Sequence, residues 1–237
     1  CASSSAGPAF EGSGVKHGMR AGAGAIEKFK ITPDGEIEYN TIGDAHPIGI
    51  CGSGLLDILA ELFINDIIDR TGHFQVGDDA RFSEGQDGVQ FTLVPVSGEH
   101  HEVVITQADI DNLIRSKAGV FASIKVLMDS TQTKTEELSA IYLAGGFGNY
   151  LNVARAVTIG LLPDVSPEKI HFVGNTSIAG AKTALLSREG YVVAEDIAKA
   201  MTYSDLMSHP DYMEEFIKAN FLPHTDLSLF PSHKVAT

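Results

Sequence analysis

The sequence predicts an α/β fold with a mainly parallel core sheet, helices on both faces and a hairpin/helical insertion. Two strand–loop–helix units in succession carry most of that expectation. Leu138 to Ala144 reads as a buried-type strand, followed by a glycine loop and a helix near Val153 to Leu161. Ile170 to Val173 is a second strand, followed by Gly174-Asn175-Thr176-Ser177 and a helix over Ile178 to Leu186. Successive units of this kind favour parallel strands joined by right-handed crossovers. The third observation is an amphipathic helix, Leu55 to Asp69, that starts directly after a glycine loop.

Taken in order, the first element is a hairpin. Ala25 to Lys30 and Glu36 to Ile42 alternate around Pro33-Asp34-Gly35, which is hairpin turn chemistry. In the helix that follows, Leu55, Leu56, Ile58, Leu59, Leu62, Phe63 and Ile67 recur at helical spacing, with Asp57, Glu61, Asn65 and Asp69 on the opposite face. Gly77 to Gly88 is polar and turn-rich. Phe91 to Val96 and Glu102 to Ile105 then form strands joined at Ser97-Gly98. Thr106 is placed to cap a helix running to about Met128, in which Gly119 is a local weakness. Residues 70–130 therefore read as an insertion. A short helix around Glu195 to Ala200, a strand near Thr202 to Met207 and a helix over Tyr212 to Ala219 end the chain.

Composition narrows the partners. Hydrophobic residues at 43% and charged ones at 20% are ordinary for a globular chain of 237 residues. A formal charge of −14, from 17 basic and 31 acidic side chains without a Lys/Arg run, argues against nucleic acid. No apolar run approaches the roughly 18 residues that a membrane span requires. Cys1 and Cys51 form neither a disulfide framework nor a ligand set, so a reducing cytoplasm fits. The opening Cys1-Ala2-Ser3-Ser4-Ser5 has neither an initiator Met nor an apolar leader region, and is expected to be an excised piece of a longer polypeptide. A processed mature terminus is the alternative.

The segment richest in chemistry is Ile141-Tyr142-Leu143-Ala144-Gly145-Gly146-Phe147-Gly148-Asn149. A hydrophobic strand ending in paired glycines brings bare backbone to the sheet's carboxyl edge, where ligands bind in open α/β folds. A tight strand-to-helix turn is the alternative. Neither a Walker A loop nor a dinucleotide fingerprint is present. Three further small-residue loops are Ser5 to Gly12, Gly49 to Gly54 and Gly174 to Ser177. Each is able to pass backbone N–H groups beneath an anion or simply to turn. Cys51 reads as a small buried residue. His100 and His101 read as solvated loop residues. His17, in Lys16-His17-Gly18-Met19-Arg20, is the one histidine in a locally basic setting. Glu11 and Asp57 are candidate cleft carboxylates without an assigned catalytic role.

The order of these blocks resembles a known family. Ala6-Gly7-Pro8-Ala9-Phe10-Glu11-Gly12, Gly18-Met19-Arg20-Ala21, Gly24-Ala25-Ile26, Gly49-Ile50-Cys51-Gly52-Ser53-Gly54-Leu55, Leu143 to Asn149 and Val173 to Ser177 resemble the carboxyl-terminal, actin-like (ASKHA) ATPase region of the reductive activators of corrinoid proteins. That resemblance implies a ribonuclease H-like lobe over residues 1–190, with a helix-strand-helix extension over 191–237 packed on it. It implies ATP and Mg2+ in the complete protein, and an iron–sulfur cluster only in an amino-terminal region outside this chain. The activity implied is return of a Co(II) corrinoid to Co(I). The implied nucleotide contacts are Gly145, Gly146, Phe147, Gly148, Asn149, Ser5, Gly7, Pro8, Gly12, Gly52, Ser53 and Gly54. No metal ligand and no catalytic residue is assigned. The partner implied is a corrinoid protein, with a homodimer as an open alternative and neither nucleic acid nor membrane involved. A docking module and a lobe of another ASKHA enzyme, such as a dehydratase activator or small-molecule kinase, are the alternatives. Gly146→Val is expected to weaken nucleotide binding, with Gly160→Val as a control outside the cleft.

Overall fold

In the computed structural model, which describes residues 1–4, 6–98, 100–145 and 151–233, the expected hairpin is β1 (Ala25–Ile31) and β2 (Ile37–Thr41). The strands pair antiparallel, and a short β3 (Gly49–Ile50) runs parallel to β1 on its other side. Helix α1 (Gly52–Ile64) follows at once and packs across β1. It stops earlier than the periodicity suggests because Asp66 takes a φ of 55°. Ile67 and Ile68 are buried all the same, beyond the helix end.

The polar stripe of α1 is not a solvent face. Asp57 and Glu61 are buried, and they accept the backbone N–H of Phe29 (3.2 Å) and Ile31 (2.8 Å). Two carboxylates thus cap the stretch of β1 edge that β3 is too short to pair. Unpaired buried N–H groups would otherwise cost roughly 1–3 kcal/mol each.

The middle of the chain forms a separate antiparallel sheet of β4 (Phe82–Gly85), β5 (Gly88–Val94) and β6 (Val103–Thr106). β4 falls inside the stretch that reads as turns, since its polar side chains hide the alternation. Helix α2 (Gln107–Ser130) begins as expected. The Thr106 hydroxyl accepts from Asp109 N and the Asp109 carboxylate accepts from Thr106 N, a full capping box. Phe91, Leu113 and Phe121 belong to the same buried cluster as Ile26 and Leu55, so this region shares one core with the first sheet.

The two strand–loop–helix units are present. β7 (Ile141–Ala144) pairs parallel with β8 (Ile170–Gly174). Helices α3 (Val153–Thr158) and α4 (Thr176–Leu186) follow them in order. The helix expected near Glu195 is longer, α5 (Arg188–Ala200). The strand expected near Thr202 to Met207 does not form. Ser204 makes one parallel bridge to Ala2, and residues 206–208 turn as a 3-10 helix once Asp205 accepts from Met207 N. Helix α6 (Tyr212–Ala219) lies along α2. Their junction is pinned by Lys117 of α2, fully buried, whose Nζ donates to the carbonyls of Ala219, Phe221 and Pro223. Burial pushes this ammonium well below 10.5.

Candidate functional site

A cleft of about 940 Å³ opens where four sequence-distant segments meet. Ala6, Gly7, Phe10 and Glu11 form one wall, and Met19 to Ala21 form the next. Cys51, Gly52 and Ser53 bring in the start of α1, while Tyr142, Leu143 and Ala144 bring in the end of β7. The floor is apolar, from Val120, Leu151, Leu161 and Leu162. An apolar cavity with few polar groups at its rim is the ordinary form of a small-molecule site.

Local rules place each wall. Pro8 leads into a 3-10 turn over Ala9–Glu11, which Gly12 closes by donating its N–H to Ala9 O. Helix α1 has no side-chain cap, since Cys51 before it is extended and offers none. Its first-turn N–H groups therefore carry the helix's positive end toward the cleft at Gly52 and Ser53. At the end of β7, Gly145 holds a φ of 107° and donates to Gly174 O at 2.8 Å. Among the described residues a Cβ at Gly145 would meet no atom within 4 Å, so its glycine answers to backbone conformation.

Of the expected contacts, Gly7, Gly52 and Ser53 line the cleft, and Gly145 follows directly on Ala144. Pro8 is exposed, and Gly12 is buried behind the loop rather than in the opening. Gly54 packs instead: a side chain there would overlap Ile26 O, so its absence lets α1 sit against β1. Ser5, Gly146, Phe147, Gly148 and Asn149 lie outside the described residues. Glu11 lines the cleft, while Asp57 faces a neighbouring groove of about 580 Å³ together with Arg155.

Cys51 is buried, and its thiol lies within hydrogen-bond range of Ile26 O at 3.3 Å, as a small packing residue would be. His17 does not line the cleft. Burial and then Lys16 lower its pKa, against the opposing carboxylates of Asp109 and Glu102. The exposed ring of His100 stacks on His46 at 3.5 Å between centroids. Gly160 is no neutral position for a control, because its φ is 73° and a Cβ would overlap Pro223 O.

The residue that sequence reasoning missed is Arg155. Its guanidinium bridges Asp57 (2.5 Å) and Glu61 (2.6 Å), with all three side chains largely buried. Burial raises the Asp57 carboxyl above its usual value, and Arg155 works against that rise. Arg155 sits on α3 just past the glycine loop, and the carboxylates sit one and two turns into α1. One cation therefore ties together two segments that form the cleft's walls. The signal available was an arginine on a short, otherwise apolar helix.

The profile of the C-terminal domain of RACo, the ASKHA domain, matches residues 1–234. The chain belongs to that family. A solved structure titled reductive activator for corrinoid, iron-sulfur protein superposes with a TM-score of 0.91 at 48% identity, covering 98% of this chain and 38% of its own. Corrinoid activation enzyme RamQ of Eubacterium limosum is 35% identical over 226 residues, 91% of this chain and 38% of its own length. The [Co(II) methylated amine-specific corrinoid protein] reductase of Methanosarcina barkeri is 27% identical over 227 residues, 87% of this chain and 38% of its own. The ASKHA domain described here thus spans 38% of the length of each relative. No helix among the described residues is long and apolar enough to cross a membrane.

Proposed function

We propose that this ASKHA domain is the nucleotide-binding lobe of an ATP-dependent reductive activator, which returns the Co(II) corrinoid of a methyl-transfer protein to Co(I). The observation that carries the reading is the cleft where Gly7, the uncapped start of α1 and the end of β7 converge. The apolar cleft wall at the end of β7, from Tyr142 to Ala144, suits a flat base. The positive end of α1 at Gly52 and Ser53 suits phosphate. Gly146 to Asn149 and Ser5 are assigned to the same site through the family resemblance. When bound, ATP and Mg2+ would supply the free energy for an uphill electron transfer. Glu11 lines the same cleft and would be a carboxylate available to a bound Mg2+. The electron itself would come from an iron–sulfur centre in another part of the polypeptide, passing one at a time to cobalt. A cytoplasmic location and a corrinoid protein as partner go with this reading.

The test is spectroscopic. Full-length polypeptide, a chemical reductant and a purified corrinoid protein are mixed with and without ATP, and the Co(II) and Co(I) absorbance bands are followed. Co(I) should accumulate only when ATP is supplied. Equal Co(I) formation without ATP would remove nucleotide binding from the account.

A further inference from the structure

Among the described residues that line the cleft, Arg20 is the only lysine or arginine. It is exposed, and it has no hydrogen-bond or ion-pair partner among the described residues. Other arginines of the domain are engaged. Arg81 and Arg155 meet carboxylates, and Arg70 donates to the carbonyls of Leu222 and His224. The chain carries 31 acidic and 17 basic side chains, so carboxylates are plentiful. A guanidinium left without one, on the wall of a largely apolar cavity, is free for an anion from outside. Its planar fork of donors matches phosphate oxygens.

We propose that Arg20 binds the phosphate chain of the nucleotide. The inference rests on the reading that ATP occupies this cleft.

The backbone beneath Arg20 is held in place. Met19 donates its N–H to Ile50 O (2.9 Å), and Ile50 donates to His17 O (2.8 Å). Gly12 and Gly18 cross so closely that a Cβ at Gly18 would overlap Gly12 O, and one at Gly12 would overlap Met19 N. Ile50 ends β3, and Cys51 then leads into α1. The same short strand therefore fixes Arg20 beside the uncapped first turn of α1 at Gly52 and Ser53. Two positive features, a guanidinium and a helix start, share one cleft, and a phosphate chain is the part of ATP that both would attract. Glu11, also on the cleft wall, supplies the complementary charge for a bound cation.

Titration calorimetry on the full-length polypeptide, with ATP and with adenosine, tests the assignment. Arg20→Met should bind ATP at least about tenfold more weakly than wild type, and adenosine within about twofold of it. Arg188→Met removes the same charge from an exposed position on α5 outside the cleft, and should bind both ligands as wild type does. The melting temperature of Arg20→Met should not move, since the side chain is exposed and unbonded. Equal losses for ATP and adenosine would overturn the proposal by placing Arg20 on the base. Wild-type ATP affinity in Arg20→Met would overturn it too, while leaving the nucleotide reading in place. Wild type that binds no ATP would instead overturn that reading, so the two fail separately.

Discussion

Arg155, Asp57 and Glu61 show what a single charge does in this domain. The two carboxylates hold the N–H groups of β1 and are themselves held by one guanidinium. Removing one partner from a buried ion cluster leaves uncompensated charge, typically at a cost of about 3–5 kcal/mol. Arg155→Met should lower stability by that order at pH 7, measured by urea unfolding. Without the cation, the native Asp57 carboxyl lies still further above 3.8, where it starts already raised by burial. The native state then binds more protons than the unfolded chain between the unfolded and the raised native value, so part of the loss should return as pH falls through that raised value. A second pair behaves in the opposite sense. The hydrogen bond with buried His224 (2.9 Å) is the main cause that lowers the Glu215 pKa below 4.5. Its contribution is therefore complete above 4.5 and lost as pH falls through the lowered native value. Glu215→Gln should flatten the acid limb of the stability–pH curve while changing the alkaline limb little. The Arg155 cluster was not legible in the sequence, because partners 94 or more positions apart leave no local spacing to read. Glu61 and Asp57 looked like a solvent face for the same reason.

At the scale of elements, local signals carried far. The hairpin, the capped start of α2, the parallel pair β7–β8 and α6 all follow from turn chemistry, caps and hydrophobic period. Thr106→Ala tests the most explicit of these. It removes the acceptor for Asp109 N at the head of a 24-residue helix and should cost about 1 kcal/mol, seen as a lower urea midpoint at unchanged slope. Two elements were misread for physical reasons. β4 was hidden because an edge strand in a polar hairpin needs no apolar alternation. The strand expected near Thr202 was suggested by its composition, but among the described residues its backbone partner is Cys1, which donates to Thr202 O and accepts from Ser204 N. Propensity without a partner strand makes no ladder.

For the molecule as a whole, the order of six small-residue blocks pointed to the family before any geometry did. The cleft explains why those blocks recur together, since several of them converge on it from distant parts of the chain. Their individual roles were less legible. Gly7 and Gly52 face the opening, whereas Gly54 serves packing, and no feature of the sequence separates an exposed glycine from a packed one. On the proposed function, ATP occupies this cleft in the full-length polypeptide. Ala144 is exposed on the cleft wall, where a larger side chain fills ligand space without entering the core. The deciding measurement is ATP affinity by titration calorimetry for wild type, Ala144→Tyr and the remote control Gly77→Ala, whose added methyl meets nothing within 4 Å. Ala144→Tyr should bind ATP at least about tenfold more weakly, a loss of about 1.4 kcal/mol, with melting temperature and control unchanged. Wild-type affinity in a folded Ala144→Tyr protein would contradict the account.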